Sequence, residues 1–501
     1  MNRMKQYGVA TIGAAALILS ISGTGIAGGK HGHKHEKGVK NVIFFVGDGM
    51  GVSTVTATRI FSVGVDGSLT MDRFPNLALS KTYSADHITP DSAGTMTAMM
   101  TGVNANSGSI GYGPETEVND FNGDGDGFAP WSALELAKQA GKKVGVVTTA
   151  RVTHATPAAC YAHINHRDKE NEIALQTLPT DPTFNERLGD GLDVLMGGGR
   201  RFFVPSGVTD EEGSGGSRPD GRDLRDEFQA AGYTYVWNTA GFDALSRKDL
   251  PVLGLFESSH MEYEYDRASD LGGEPSLEDM TAEAIRLLDN RHGFFLMVEA
   301  GRIDHAHHAS NAYRSLTDTE ELDQAVRRAL KMTDLRDTLV IVTADHSHVF
   351  NIAGYPLREY DDIAYDFGAE PPEGYQDMAH HGILDVVYDM NAATGEVAES
   401  EDSNGVPYTA LVYGNGPGFR GTRGTAMSLD PRMDTTPGLN GDPVSGPDDP
   451  DYLQESAVSL SSETHSGEEV AIYAAGPQSW LFNGTVKNTK IFDVMVRAMG
   501  L

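Results

Sequence analysis

From Val42 onward, short apolar runs alternate with segments patterned as helices. Asn41–Val46 (NVIFFV) is almost continuously apolar and ends in Gly-Asp-Gly, the pattern of a strand buried on both faces that hands over to a loop. Lys143–Val147, Gly293–Val298 (GFFLMV) and Leu339–Val342 repeat it. Between such runs lie segments such as Ser276–Leu288, where Ser276 and Asp279 resemble a capping box and Leu277, Met280, Ala284 and Leu288 share one face. This alternation predicts an α/β fold with a large central, mostly parallel sheet flanked by helices on both faces. In such sheets ligands gather at the carboxyl ends of strands. Asp48, Glu299 and Asp345 stand at three of those ends.

The start of the chain and one internal stretch depart from the rhythm. Arg3 and Lys5 precede a largely apolar Val9–Ile21, and Gly25-Ile26-Ala27 offers a small-x-small cleavage site, so residues 1–27 read as an export signal. That run is too short to span a membrane and no later stretch is long enough, so the expected product is periplasmic or extracellular, without a membrane span. Residues 28–40, with His31, His33 and His35, read as a flexible leader. The main catalytic region is expected over 41–358, with a return at 457–501. Between them, 359–456 is rich in Asp, Glu, Pro and Gly, and its apolar runs are short pieces such as Tyr408–Tyr413; it reads as an inserted, acidic, loop-rich, crown-like subdomain.

Composition narrows the classes. The 501 residues carry 71 Asp+Glu against 39 Lys+Arg, a formal charge of −32, which argues against a nucleic-acid-binding surface. The single cysteine, Cys160, excludes an internal disulfide framework and any Cys-rich zinc module. Only 14 of the basic residues are lysines, a balance expected of a halophilic protein kept soluble in concentrated salt; the plainer reading places the acid excess in solvated loops.

The densest chemistry is Glu299-Ala-Gly-Arg-Ile-Asp304-His305-Ala-His307-His308. On a helix Asp304 and His308 project from one face, a spacing suited to two ligands of one metal. Asp345 and His346, in Thr343-Ala-Asp345-His346-Ser-His348, are adjacent and can reach one ion from a turn at a strand end, while His465 offers a remote nitrogen. Carboxylates mixed with imidazoles, without a thiolate, suit zinc, or zinc beside magnesium. Ser92, in Thr89-Pro90-Asp91-Ser92-Ala93-Gly94, precedes a helical run at Thr95–Met100 and would sit where backbone N–H groups favour an anion. An Asp-Ser pair before a helix is ordinarily just a cap. There is no Gly-x-Ser-x-Gly elbow, so a hydrolase triad is unsupported; a serine lacking a dedicated base needs another activator, which a bound zinc would supply.

Taken together, GDGMG at 47–51, TPDSAGT at 89–95, VEAGRIDHAHH at 298–308, TADHSH at 343–348 and THSGE at 464–468 resemble the motif set of the alkaline phosphatases, in order along the chain. GRIDHAHH, GLFESSHMEYEYDRAS at 254–269 and ETHSGEEVA at 463–471 are similar to the animal-type branch. The resemblance implies an exported, metal-dependent phosphomonoester hydrolase with two zinc ions and one magnesium, releasing inorganic phosphate at alkaline pH through a phosphoserine on Ser92. It assigns Asp304, His308 and His465 to the first zinc, Asp48, Asp345 and His346 to the second, and Asp48, Thr156 and Glu299 to magnesium. Arg167 takes the position that grips two phosphate oxygens, with Asp91, His154 and His305 around the phosphate. A homodimer acting on small phosphate monoesters is implied as well.

His154 and His305 stand where the enteric bacterial branch carries an aspartate and a lysine, so zinc becomes a rival to magnesium in the third site if a histidine comes within reach. A fourth, calcium-type site of the animal branch is matched by Phe256, Glu257 and Glu274, with its remaining ligand expected near Glu211-Glu212. The loop from Asp120 to Gly127 has the look of a calcium loop, but Trp131 stands where the EF-hand glutamate belongs, and it reads as a Gly-rich turn. Two other readings stay open: a phosphodiesterase or sulfatase on the same scaffold, and a non-catalytic periplasmic protein that binds metal or phosphate.

Overall fold

The computed structural model describes residues 38–118, 127–356, 382–390, 397–403, 405–420 and 437–501. The export signal, most of the His-rich leader, the Asp120–Asp126 loop and much of 359–456 lie outside the described residues.

Ten strands form one sheet: β1 (Asn41–Gly47), β2 (Asn76–Lys81), β3 (Lys143–Arg151), β4 (Val194–Gly198), β5 (Thr234–Val236), β6 (Val252–Leu255), β7 (Phe294–Ala300), β8 (Thr338–Ala344), β9 (Val470–Ala475) and β10 (Thr485–Lys487). Their order across the sheet is β10-β2-β9-β8-β1-β7-β3-β4-β6-β5. Every pairing is parallel except those of β9, which runs antiparallel to both β2 and β8.

The continuous apolar runs become the central strands because both sheet faces are covered. On β1, Val42, Phe44 and Val46 enter one core, while Ile43 and Phe45 enter the other. Helices Ser92–Thr101, Ala133–Gln139 and Lys490–Met499 close the first face; Leu277–Leu288 and Ala312–Met332 close the second. Phe44 and Phe45 are both fully buried, each contributing about 1.5–3 kcal/mol by removal from water.

Register then sets the site. Val46 pairs with Glu299 on β7, and Gly47 pairs with Ala344 on β8, so Asp48, Glu299 and Asp345 emerge at one level of the sheet. Gly49 follows at φ 68°, and a Cβ there would lie 2.3 Å from His348 Nε2, so only glycine fits the turn after Asp48. The described parts of 359–456 include strand Leu411–Tyr413, which pairs antiparallel with Phe350–Ile352. Ile383, Leu384, Val387 and Leu411 pack with Ala57, Ala312 and Leu316, so this segment rests on the helices beside the site.

Candidate metal and phosphate centre

Asp304 and His308 lie on the helix Arg302–His308, one turn apart, directly after β7. His465 arrives from the other end of the chain because Ser347–His348 and His465–Ser466 pair as a two-stranded ribbon. His308 Nε2 lies 3.1 Å from His465 Nε2, and each is 3.4 Å from Asp304 Oδ1. His308 Nδ1 faces the Glu463 carbonyl at 2.6 Å and His465 Nδ1 the Pro90 carbonyl at 2.8 Å. A carbonyl only accepts, so each Nδ1 carries the hydrogen and each Nε2 presents a lone pair. Two lone pairs and a carboxylate oxygen therefore point at one another, an arrangement that a cation resolves. The spacing agrees: ligands 2.0–2.1 Å from a tetrahedral zinc stand about 3.3–3.4 Å apart.

The second group surrounds His346. Its Nε2 is 3.4 Å from Asp48 Oδ1, 3.3 Å from Asp345 Oδ2 and 3.3 Å from Ser92 Oγ. Asp345 Oδ1 accepts from the Gly49 and His346 backbone N–H groups, while the buried Oδ2 has no hydrogen-bond partner. His346 stacks on His465 with ring centroids 3.6 Å apart, which joins the two groups. Burial, then Asp345, Asp304 and Glu299, pushes the Asp48 carboxyl well above its usual range. Carboxylates so close cannot all ionise without a counter-charge.

In the third group Asp48, Glu299 and His154 each bring a donor atom within 4.8 Å of the others. Thr156 Oγ1 lies 3.5 Å from Asp48 Oδ2. Glu299 Oε2 accepts from Thr148 at 2.5 Å, Oε1 is buried without a partner, and burial pushes the carboxyl up to about 8. His154 is thus within reach of this group, the condition under which zinc competes with magnesium.

Ser92 begins the helix Ser92–Thr101, with Asp91 as its N-cap. Asp91 Oδ1 accepts from Gly94 N at 3.1 Å, and Oδ2 accepts from Gly108 N at 2.9 Å and Arg167 Nη1 at 3.0 Å. Arg167 Nη2 donates to His154 Nε2 at 2.9 Å. One aspartate therefore both caps the helix that starts at Ser92 and holds the Arg167 guanidinium. Burial would raise the Asp91 carboxyl; Arg167 and the Gly94 N–H hold it below its usual range.

Known proteins agree in sequence and architecture. The alkaline phosphatase family model matches residues 39–501. The chain belongs to the alkaline phosphatase family. Tissue-nonspecific alkaline phosphatase of Mus musculus is 40% identical over 488 residues, covering 92% of this chain and 83% of that protein. Alkaline phosphatase of Gadus morhua is 38% identical over 487 residues, covering 92% of this chain and 91% of that one. The crystal structure of Thermus thermophilus alkaline phosphatase superposes with a TM-score of 0.62 at 25% identity, covering 93% of this chain and 92% of that chain. Membership makes the chain a phosphomonoester hydrolase of the animal-type branch and sets aside the diesterase, sulfatase and binding-protein readings. Among the described residues no helix is long and apolar enough to cross a membrane.

Several residues near the site were not singled out from sequence. His348 sits between Asp304 and Glu463. In the extended stretch after β8, His346 and His348 are two apart, the spacing that puts both on one side, and their rings lie 5.6 Å apart. His305 turns towards His260, with ring centroids 3.9 Å apart, and lies 5.7 Å from His154. His260 lies in the animal-type stretch 254–269, where nothing distinguishes it from its neighbours.

At the calcium-type positions the tight trio is Glu212, Glu257 and Asp270, with donor atoms within 4.8 Å of one another. Glu274, expected at this site, is not one of the three but lies near enough to Glu257 and Asp270 to feel both. Glu274 gives Oε1 to the Glu262 N–H at 2.9 Å, its buried Oε2 has no partner, and burial followed by Glu257 raises it to about 9. Fully buried Phe256 precedes Glu257 after β6, and Arg200 reaches Glu212.

Proposed function

We propose that this phosphatase transfers the phosphoryl group to Ser92 Oγ and then to water. The observation that carries the reading is the position of Ser92 Oγ, at a helix N-terminus, 3.3 Å from His346 Nε2 and 3.5 Å from Asp48 Oδ1, with Arg167 held alongside by Asp91.

Asp304, His308 and His465 would hold one zinc, Asp48, Asp345 and His346 a second, and Asp48, Thr156 and Glu299 a magnesium, with His154 as a further donor at the last. When bound, these ions supply Lewis-acid stabilisation of the oxygens that gain charge during displacement. The side chains do the rest. Arg167 presents a planar fork to two non-bridging phosphate oxygens. The first turn of Ser92–Thr101 directs its N–H groups at the same anion. Ser92 Oγ attacks phosphorus as the ester oxygen departs; water then attacks the phosphoserine from the vacated side. Two inversions give retention at phosphorus.

Calcium at Glu212, Glu257 and Asp270, backed by Glu274 and Phe256, is the fourth assignment. Export through residues 1–27, a leader at 28–40, the division at 359–456 and a homodimeric assembly belong to the same reading, as does activity at alkaline pH. The test is hydrolysis of p-nitrophenyl phosphate, with and without a chelator, by wild type and Ser92→Ala. Abolished turnover in the variant and after chelation is expected. Unchanged activity in Ser92→Ala would remove the nucleophile, and indifference to the chelator would remove the metals.

A further inference from the structure

We propose that the basic wall beyond Arg167 is a second anion subsite, which takes the distal phosphate of a bisphosphate substrate. The proposal rests on the phosphomonoesterase reading of Ser92 and names the substrate class that this site favours.

The chain holds 71 acidic against 39 basic residues, so most arginines have a carboxylate to pair with. Beyond His154, Arg151, Arg167, Arg201 and Arg302 gather within a few contacts of one another. Among the described residues, Arg201 and Arg302 have no carboxylate at ion-pair distance, and the Nε of each is buried without a hydrogen-bond partner. Arg302 lies 3.6 Å over the Tyr263 ring, with Nη1 3.5 Å from His305 Nδ1. Arg201 and Arg151 share the Phe202 ring, with guanidinium carbons 5.0 and 5.9 Å from its centroid. Arg151 does have a counter-ion, Glu170, whose Oε2 accepts from Nε at 2.8 Å.

His260 ties these groups together. Its Nε2 faces Arg151 Nη1, its ring lies 3.9 Å from that of His305, and it stands 5.4 Å from that of His154. His154 in turn receives Arg167 Nη2 at 2.9 Å, so the wall begins one imidazole away from the phosphate grip. Arg151, Arg167, Arg201, His260, Arg302 and His305 are all partly exposed.

Arg201 and Arg302 feel Glu170 and Asp318 only at longer range and close no ion pair with them, so part of the hydration each guanidinium loses is left uncompensated. Two of them beside a third arginine create a local field that favours an anion. The guanidinium fork matches phosphate oxygens in particular. Because the wall begins at the His154 ring that Arg167 touches, a substrate carrying a second phosphate on the same skeleton is the class that it fits.

The chemistry at Ser92 is unchanged. A bond forms between Ser92 Oγ and the proximal phosphorus, and the bond to the ester oxygen breaks. Ser92 Oγ gives its proton to water as it attacks, and the alcohol leaves with a proton taken back from water, still carrying its distal phosphate. Hydrolysis of the phosphoserine then releases orthophosphate.

The test compares kcat/KM of the metal-loaded enzyme for fructose 1,6-bisphosphate and fructose 1-phosphate in wild type, Arg201→Ala, Arg201→Lys and His260→Ala. Wild type should prefer the bisphosphate. Arg201→Ala and His260→Ala should each lower the preference at least about five-fold, chiefly through KM, and Arg201→Lys should keep most of it. Zinc content and circular dichroism identify any variant that fails to fold, in which case the other substitution decides. Equal preference in all four proteins, or none in wild type, overturns the subsite. Absence of wild-type turnover on fructose 1-phosphate would instead overturn the phosphomonoesterase reading.

Discussion

His348 donates from Nε2 to Asp304 Oδ1 at 2.8 Å and from Nδ1 to Glu463 Oε2 at 2.5 Å. Burial opposes charge on this imidazole, yet Glu463 and Asp304 raise its pKa to about 10, so it is a cation clamped between two carboxylates. It therefore fixes the orientation of the carboxylate that His308 and His465 face. Partners of this kind commonly contribute 10–100-fold in metal affinity. His348→Ala should weaken zinc retention by about that factor and lower turnover, with partial recovery in excess zinc. Competition with a chromogenic chelator measures it, and wild-type retention would show that Asp304 needs no such support.

In the proposed mechanism Arg167 grips the phosphate without making or breaking a bond to it. Removing its two donors should therefore cost less than removing the nucleophile. Arg167→Ala is expected to lower kcat/KM by about 1.5–3 kcal/mol, the worth of a charge-assisted hydrogen bond. Asp91→Asn should reproduce part of this loss, since Asp91 Oδ2 holds Arg167 Nη1 at 3.0 Å. Steady-state kinetics on p-nitrophenyl phosphate would decide. A loss in Arg167→Ala as deep as in Ser92→Ala would mean that positioning and bond formation had been ranked wrongly.

The contrast between Asp48 and His348 explains what the sequence disclosed. Asp48, Glu299 and Asp345 close continuous apolar runs, so their placement follows from strand burial and a parallel register, both local patterns. Ser92 was visible for a similar reason, as the start of a helix capped by its neighbour. His465 and Arg167 were placed through family likeness, because no local pattern marks a ligand contributed from a distant loop. His348, Glu463, Asp270 and His260 owe their roles to contacts between segments far apart in the chain. His348 meets His465 only because two short strands pair across 116 intervening residues. The antiparallel course of β9 was equally hidden, since an apolar run does not state its direction.

Glu321 offers a test of electrostatics away from the metals. It lies on the helix Ala312–Met332 and accepts the Glu278 N–H at 2.7 Å, which ties down the first turn of Leu277–Leu288. Burial, then Glu264, raises its pKa from 4.5 to about 7. The folded state therefore holds a proton that the unfolded chain releases. Its contribution is fully present below the unfolded value and lost as pH rises through about 7. Glu278 and Asp318 face the same region with like charge, and Ser276 supplies a hydrogen bond. Glu321→Gln keeps the acceptor and deletes the charge. It should stabilise the fold at pH 8 by on the order of 1–3 kcal/mol, read as a higher melting temperature, and leave stability unchanged near pH 4. Coincident melting curves at pH 8 would show that Glu321 ionises without penalty.

The acid excess points to the last test. With 71 acidic against 39 basic residues, the chain as a whole repels phosphate esters, and Arg167 near Ser92 offsets only part of that. Repulsion of that kind acts over a Debye length, which shrinks from about 10 Å in 0.1 M salt to about 3 Å at 1 M. The contacts proposed to hold substrate, at Arg167 and the first turn of Ser92–Thr101, would be short and partly buried, so salt should weaken them less. Screening should then remove more repulsion than attraction. The kcat/KM for p-nitrophenyl phosphate is expected to hold or rise between about 0.1 and 1 M NaCl, with the change carried by KM. A steep fall over that range would mean that attraction by the basic wall outweighs the field of the whole chain, and that the acidity is an ordinary property of solvated loops.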